Sequence, residues 1–112
     1  MGNDRLNKDK SNWVSEKSNA EISFLWESKN AKGLFVKLPK GFNGIIETDG
    51  TVLHSVVIQG ELNYTLPQNQ VTKILDTGSY FGATSKAIHT ISNNSESEVI
   101  LYIRTNGNIT IK

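Results

Sequence analysis

Glu47 and Asp49 stand two residues apart in a stretch, Ile45 to Asp49, that alternates as a β-strand does, so both carboxylates share one face. Turned into a cavity, they would lie close together, and burial and mutual repulsion would both disfavour ionisation. A divalent cation relieves both penalties. The chain has 2 histidines, His54 and His89. Two carboxylates with one imidazole suit Mg²⁺, Mn²⁺ or Ca²⁺, with Zn²⁺ a further choice. That set inverts the two-histidine, one-carboxylate arrangement of non-haem iron oxygenases, which disfavours oxygenation. A second reading competes. Asp49-Gly50 is a strong turn signal, and on this reading the two carboxylates simply edge a solvated turn.

The rest of the chain narrows the chemistry. There is no cysteine, hence no disulfide framework and no thiolate nucleophile. No Gly-x-Ser-x-Gly elbow and no phosphate-binding glycine pattern occurs. Lys plus Arg is 12 against 11 Asp plus Glu, which gives no electrostatic reason to bind nucleic acid or an acidic membrane. No apolar run approaches the roughly 18 residues of a membrane span. A soluble protein of a bacterial cytoplasm or periplasm is expected.

These residues must be positioned by strands. Residues 1–12 read as a flexible polar tail, and residues 13–112 as one domain, with helix a weak option for Ser11 to Asn19. Strands are expected at Glu21 to Trp26, Leu34 to Leu38, Ile45 to Asp49, Val52 to Leu62, Val71 to Leu75, Ser79 to Gly82, Ala87 to Ile91, Val99 to Thr105 and Ile109 to Ile111. Val52 to Leu62 is apolar on both parities, and a strand buried on both faces suits a barrel wall covered by a second sheet. Many short strands with turn residues between them predict an all-β sandwich or barrel.

Two glycine-bounded stretches carry a family resemblance. Gly41, Glu47, Asp49, Leu53 and Gly60 fall on the spacing of the first cupin motif, with Glu47 and Asp49 at its histidine positions and Leu53 at its glutamate position. Gly78, His89 and Asn93 fall on the second motif, where Thr84 replaces proline and Lys86 replaces glycine. Segments such as Phe35 to Phe42, Val56 to Gly60, Gly78 to Gly82 and Tyr102 to Gly107 further resemble the second barrel of an uncharacterised two-barrel cupin family. The resemblance implies a double-stranded β-helix, or jelly-roll, barrel that forms homodimers. It also implies that positions 47, 49 and 89 converge inside the barrel on one divalent metal, from which the His-x-His pair has been lost.

On this resemblance His89 is the leading site residue, its alternative being a buried histidine with one hydrogen-bonded neighbour. Asn93 is expected to shape a turn. His54 is an alternative ligand one residue late. Strand alternation turns it to the other face unless a bulge intervenes. Leu53, Tyr80, Phe81, Phe35 and Trp26 are candidate linings of a ligand pocket, against the alternative of plain core. Arg104, opposite in parity to Leu101 and Ile103, can meet an anionic ligand or a salt-bridge partner. Three functions follow. The first is a small-molecule-binding or sensory cupin with an eroded or carboxylate-rich site. The second is a metal-dependent enzyme using Glu47 or Asp49 as general base beside His89, which the lost His-x-His pair argues against. The third is a structural or dimerisation barrel.

Overall fold

The computed structural model describes residues 13–15, 19–66, 70–84 and 88–112. The expected polar tail, Lys86 and parts of the weak helical stretch and of the loop after Leu66 lie outside the described residues. Eleven strands and no helix occur among the described residues: β1 (Val14–Ser15), β2 (Glu21–Glu27), β3 (Lys32–Leu38), β4 (Asn43–Thr48), β5 (Leu53–Gln59), β6 (Leu62–Thr65), β7 (Thr72–Leu75), β8 (Tyr80–Ala83), β9 (His89–Ser92), β10 (Val99–Thr105) and β11 (Ile109–Ile111). They form a six-stranded sheet in the order β1-β2-β3-β10-β5-β8 and a five-stranded sheet in the order β11-β4-β9-β6-β7. Every pairing is antiparallel. This is the all-β architecture that the strand pattern predicts, in the jelly-roll form that the resemblance implies.

Alternation builds the core. In the six-stranded sheet Leu34, Val36 and Leu38 of β3, Leu101 and Ile103 of β10, and Leu53 and Val57 of β5 are buried. Register aligns them in rows: Leu101 sits opposite Val36 on one side and Val57 on the other. Ile46, Ile91, Leu62 and Tyr64 face them from the second sheet. Each such aliphatic side chain contributes on the order of 1.5–3 kcal/mol through burial.

A threonine pair ties the sheets together at one end of this core. Thr105 Oγ1 donates to the carbonyl of Val52 at 2.7 Å. That leaves it free to accept from Thr48 Oγ1 at 2.9 Å, so two buried hydroxyls satisfy each other across the sandwich.

Two expectations are corrected. Val52 to Leu62 is not one strand. Gly60 adopts φ +90, and a side chain there would meet the carbonyl oxygen of Glu98 at 3.0 Å. The chain turns at this point, so β5 joins one sheet and β6 the other. Nor is the outer side of β5 covered among the described residues: Val56 is half-buried and Ile58 is exposed. Its apolar residues of the second parity belong to an outer-face patch instead.

Candidate functional site

β4 decides which groups enter the barrel. Ile46 and Thr48 are buried, whereas Glu47 is half-buried and Asp49 exposed. Glu47 lies opposite Thr110 of β11 and pairs with the ammonium of Lys112 at 3.0 Å. Asp49 Oδ1 accepts from the backbone N–H of Asn108 at 2.6 Å, and its Oδ2 accepts from Asn108 Nδ2 at 3.1 Å. Both carboxylates therefore serve the outer side of the second sheet and its turn. The expected convergence of Glu47, Asp49 and His89 on a metal is not formed, because the strand turns residues 46 and 48 inward instead. Among the described residues no three His, Asp or Glu side chains gather closely enough to hold a cation.

The motif can be re-registered on the structure. A four-residue gap before Leu53, with the gap after Gly41 shortened from five residues to four, places Ile46 and Thr48 at the histidine positions, one residue earlier than the pair with carboxylates. Leu53 is buried and keeps the glutamate position. The four inward groups are thus two hydrocarbon chains, one hydroxyl and one imidazole. Thr48 Oγ1 is already engaged by Thr105 and by the backbone N–H of Gly50 at 3.1 Å. His89 Nδ1 is engaged by Tyr64. This donor set does not fit the divalent metal that a cupin barrel implies.

What the barrel does hold is a small polar cluster in an aromatic frame. His89, on β9 opposite Ile46, is buried. Its Nδ1 lies 2.9 Å from the hydroxyl of Tyr64 on β6. Phe81, on β8 of the other sheet, closes the frame. Its ring centroid is 4.7 Å from that of Tyr64 and 5.3 Å from that of His89. Ser55 of β5 pairs in register with Phe81, and its buried Oγ has no hydrogen-bond partner among the described residues.

Burial pushes His89 below the ordinary histidine value and Tyr64 above the ordinary tyrosine value, so both stay neutral near pH 7. The direction of this bond follows the histidine tautomer: when the phenol, the stronger acid, donates to Nδ1, Nε2 of His89 carries the proton. The cluster can offer one N–H, one hydroxyl and ring faces to a neutral guest, and it offers no charge.

The remaining expected pocket residues divide. Leu53 and Phe81 point inward. Tyr80, Phe35 and Trp26 do not line the barrel: Tyr80 and Trp26 are exposed and Phe35 half-buried, all on the outer face of the six-stranded sheet. Strand parity puts Phe35 and Tyr80 there, whereas Trp26 shares its parity with the buried Ile22 and is turned outward by the irregularity between Phe24 and Trp26 that sets it opposite Gly33. His54 is likewise outside, and its Nδ1 lies 2.6 Å from the Tyr80 hydroxyl. No bulge brings it inward as a ligand.

Asn93 is buried and ties loops together. Its Nδ2 lies within 3.1 Å of the carbonyls of Leu38 and Pro39 and 2.9 Å of that of Ser97. Its Oδ1 accepts from the N–H and hydroxyl of Ser95. Tyr64 and Ser55 were not among the expected site residues. The alternation Leu62-Asn63-Tyr64-Thr65 carries the signal for Tyr64, but it is hidden when Leu62 is taken as a strand end.

Comparison with known proteins adds the following. The family described as Domain of unknown function (DUF4437) matches residues 4–112. No curated protein sequence matches the chain. Solved structures similar to it include cupins. An RmlC-like cupin from Shewanella frigidimarina is 16% identical, with a TM-score of 0.74 over 91% of this chain and 88% of that one. KdgF from Halomonas sp. is 13% identical, with a TM-score of 0.74 over 91% of this chain and 92% of that one. The cupin domain of an XRE family transcriptional regulator from Enterobacter cloacae is 17% identical, with a TM-score of 0.66 over 80% of this chain and 97% of that one. At such identities the likeness establishes the double-stranded β-helix fold.

Proposed function

The chain belongs to the DUF4437 family and carries the cupin fold, and from that premise we propose that it is a small-molecule-binding cupin of the sensory kind, whose barrel takes a neutral guest without a metal. The observation that carries this reading is the cluster of His89, Tyr64, Phe81 and Ser55. A barrel kept only as a scaffold gains more from aliphatic filling than from a buried imidazole, a phenol and an unpartnered hydroxyl. Leaving a buried polar atom unbonded costs about 1–3 kcal/mol. The Ser55 hydroxyl is therefore a group awaiting a partner. The cupin domain of a transcriptional regulator among the similar structures supports a sensing role. The metal-enzyme reading loses its support with the outward turn of Glu47 and Asp49.

The test has two arms. Protein prepared without chelator is dialysed against Mn²⁺ or Zn²⁺ and then against buffer, and retained metal is measured. Less than stoichiometric retention is expected, and one tightly held ion per chain overturns the proposal. In the second arm thermal unfolding is followed with phenol, cyclohexanol and a neutral hexose at millimolar concentration. Saturable stabilisation by at least one of them is expected, lost in Ser55→Ala and Tyr64→Phe. If none stabilises the protein and Ser55→Ala alone makes it more stable, the cluster is plain core.

A further inference from the structure

The outer face of the six-stranded sheet holds a second set of features that the barrel interior does not use. Alternation sends Tyr102 and Arg104 of β10, His54 of β5 and Tyr80 of β8 outward. Register puts Gly33, Arg104, His54 and Gly82 in one row across four strands. The glycines leave both ends of that row without side chains, and neighbouring rings occupy the space. A side chain at Gly33 would collide with the indole of Trp26, and one at Gly82 would meet the Tyr80 hydroxyl at 3.1 Å. Both rings are fixed by hydrogen bonds. Trp26 Nε1 donates to the Tyr102 hydroxyl at 3.0 Å, and Tyr80 bonds His54 at 2.6 Å with the two rings stacked at 5.7 Å.

Arg104 is the exception in this ordered row. On the same face Lys37 pairs with Glu21 at 3.5 Å and lies over the Trp13 ring at 4.3 Å. Arg104 is exposed and has neither an ion pair nor a hydrogen bond among the described residues. Its row holds no acid, and the other ionisable group in it is His54. A lone guanidinium set between aromatic walls matches a guest with one negative charge and a flat apolar body. Its donor fork fits the two oxygens of a carboxylate, and the rings of Trp26 and of the His54–Tyr80 pair offer faces and edges to an aromatic body.

We propose that this tray on the outer face binds a flat organic monoanion, an aromatic carboxylate, with Arg104 taking the carboxylate and Trp26, Tyr102, His54 and Tyr80 framing the ring. The full chain, labelled with ¹⁵N, is titrated with 2-naphthoate and separately with 2-naphthylmethanol, its neutral counterpart. Saturable shifts are expected at the Trp26 indole N–H and the Arg104 side chain. The alcohol should bind at least tenfold more weakly. Arg104→Gln should weaken naphthoate binding at least tenfold, and Arg104→Lys should weaken it less, with spectra otherwise unchanged. Equal binding of the alcohol, unchanged affinity in Arg104→Gln, shifts centred on Tyr64 and His89, or no saturable shift each overturn the proposal. So does sedimentation showing a dimer that covers this face and is unaffected by naphthoate, since the occupant is then a second copy of the chain.

Discussion

The molecule contains the same pairing twice, once inside and once outside. His89 and Tyr64 meet through Nδ1 at 2.9 Å with ring centroids 5.8 Å apart, and His54 and Tyr80 meet through Nδ1 at 2.6 Å with centroids 5.7 Å apart. Local geometry hardly distinguishes them. Surroundings do. The first pair is closed in by Phe81 and the aliphatic core, while Tyr80 remains 56% exposed. Inside, every lost contact leaves a void and every lost partner leaves an unsolvated polar atom. Outside, water replaces both. The same two residue types thus become an uncharged recognition cluster in one place and the rim of a surface tray in the other.

The largest test of this contrast makes one change at both pairs. Tyr64→Ala should destabilise the fold by about 3–5 kcal/mol, from the cavity plus the stranded Nδ1 of His89. Tyr80→Ala should cost less than about 1 kcal/mol, because its ring is already largely hydrated. Removing only the hydroxyl reduces the effects but keeps the order. Tyr64→Phe should cost about 1–3 kcal/mol, and Tyr80→Phe within about 0.5 kcal/mol. Urea unfolding of the four variants measures all of these. Equal losses at the two sites would mean that burial does not separate the pairs.

Acidity sharpens the contrast further. Burial lowers the His89 pKa below 6.5. As pH falls through 6.5, the unfolded chain takes up this proton before the folded one does, so folded stability drops. The loss continues down to the lowered folded value and then levels off. Tyr64 acts at the opposite end: its pKa is raised above 10.0, so stability falls as pH rises past that value. Unfolding free energies at pH 7.5 and pH 5 should differ more in the native chain than in His89→Gln. An unchanged difference in that variant would assign the acid sensitivity to other groups.

The fold was legible because its signals are periodic. Alternating apolar residues in Leu34 to Leu38 and Val99 to Thr105 specify inward faces, and Asp49-Gly50 and Asn106-Gly107 mark the turns from β4 to β5 and from β10 to β11. The strand that carries the motif was not legible in the same way. In Ile45-Ile46-Glu47-Thr48-Asp49 each parity offers one isoleucine, so hydrophobicity alone cannot choose the face. A one-residue difference in motif register reverses every side chain. The deciding partners, Thr105 for Thr48 and Lys112 for Glu47, lie far along the chain. Tyr64 was hidden for a different reason: the chain changes sheets at Gly60, and a single long strand through Leu62 absorbs the signal of the next one. Arg104 was placed correctly by parity, but its aromatic frame depends on register across four strands, which no local pattern encodes.

The smallest predicted effect concerns the strand where parity was misleading. If Glu47 pointed into the barrel beside Asp49, neutralising it would relieve repulsion and stabilise the protein. On the outer face it instead forms a partly exposed ion pair with Lys112, whose own side chain is mostly solvated. Such pairs contribute about 0–1 kcal/mol and weaken with salt. Glu47→Gln should therefore lower stability by less than about 1 kcal/mol, and the difference from the native chain should shrink in 1 M NaCl. Chemical unfolding at low and high salt measures this. A clear gain in stability from Glu47→Gln would return the carboxylate to the interior and reopen the metal reading.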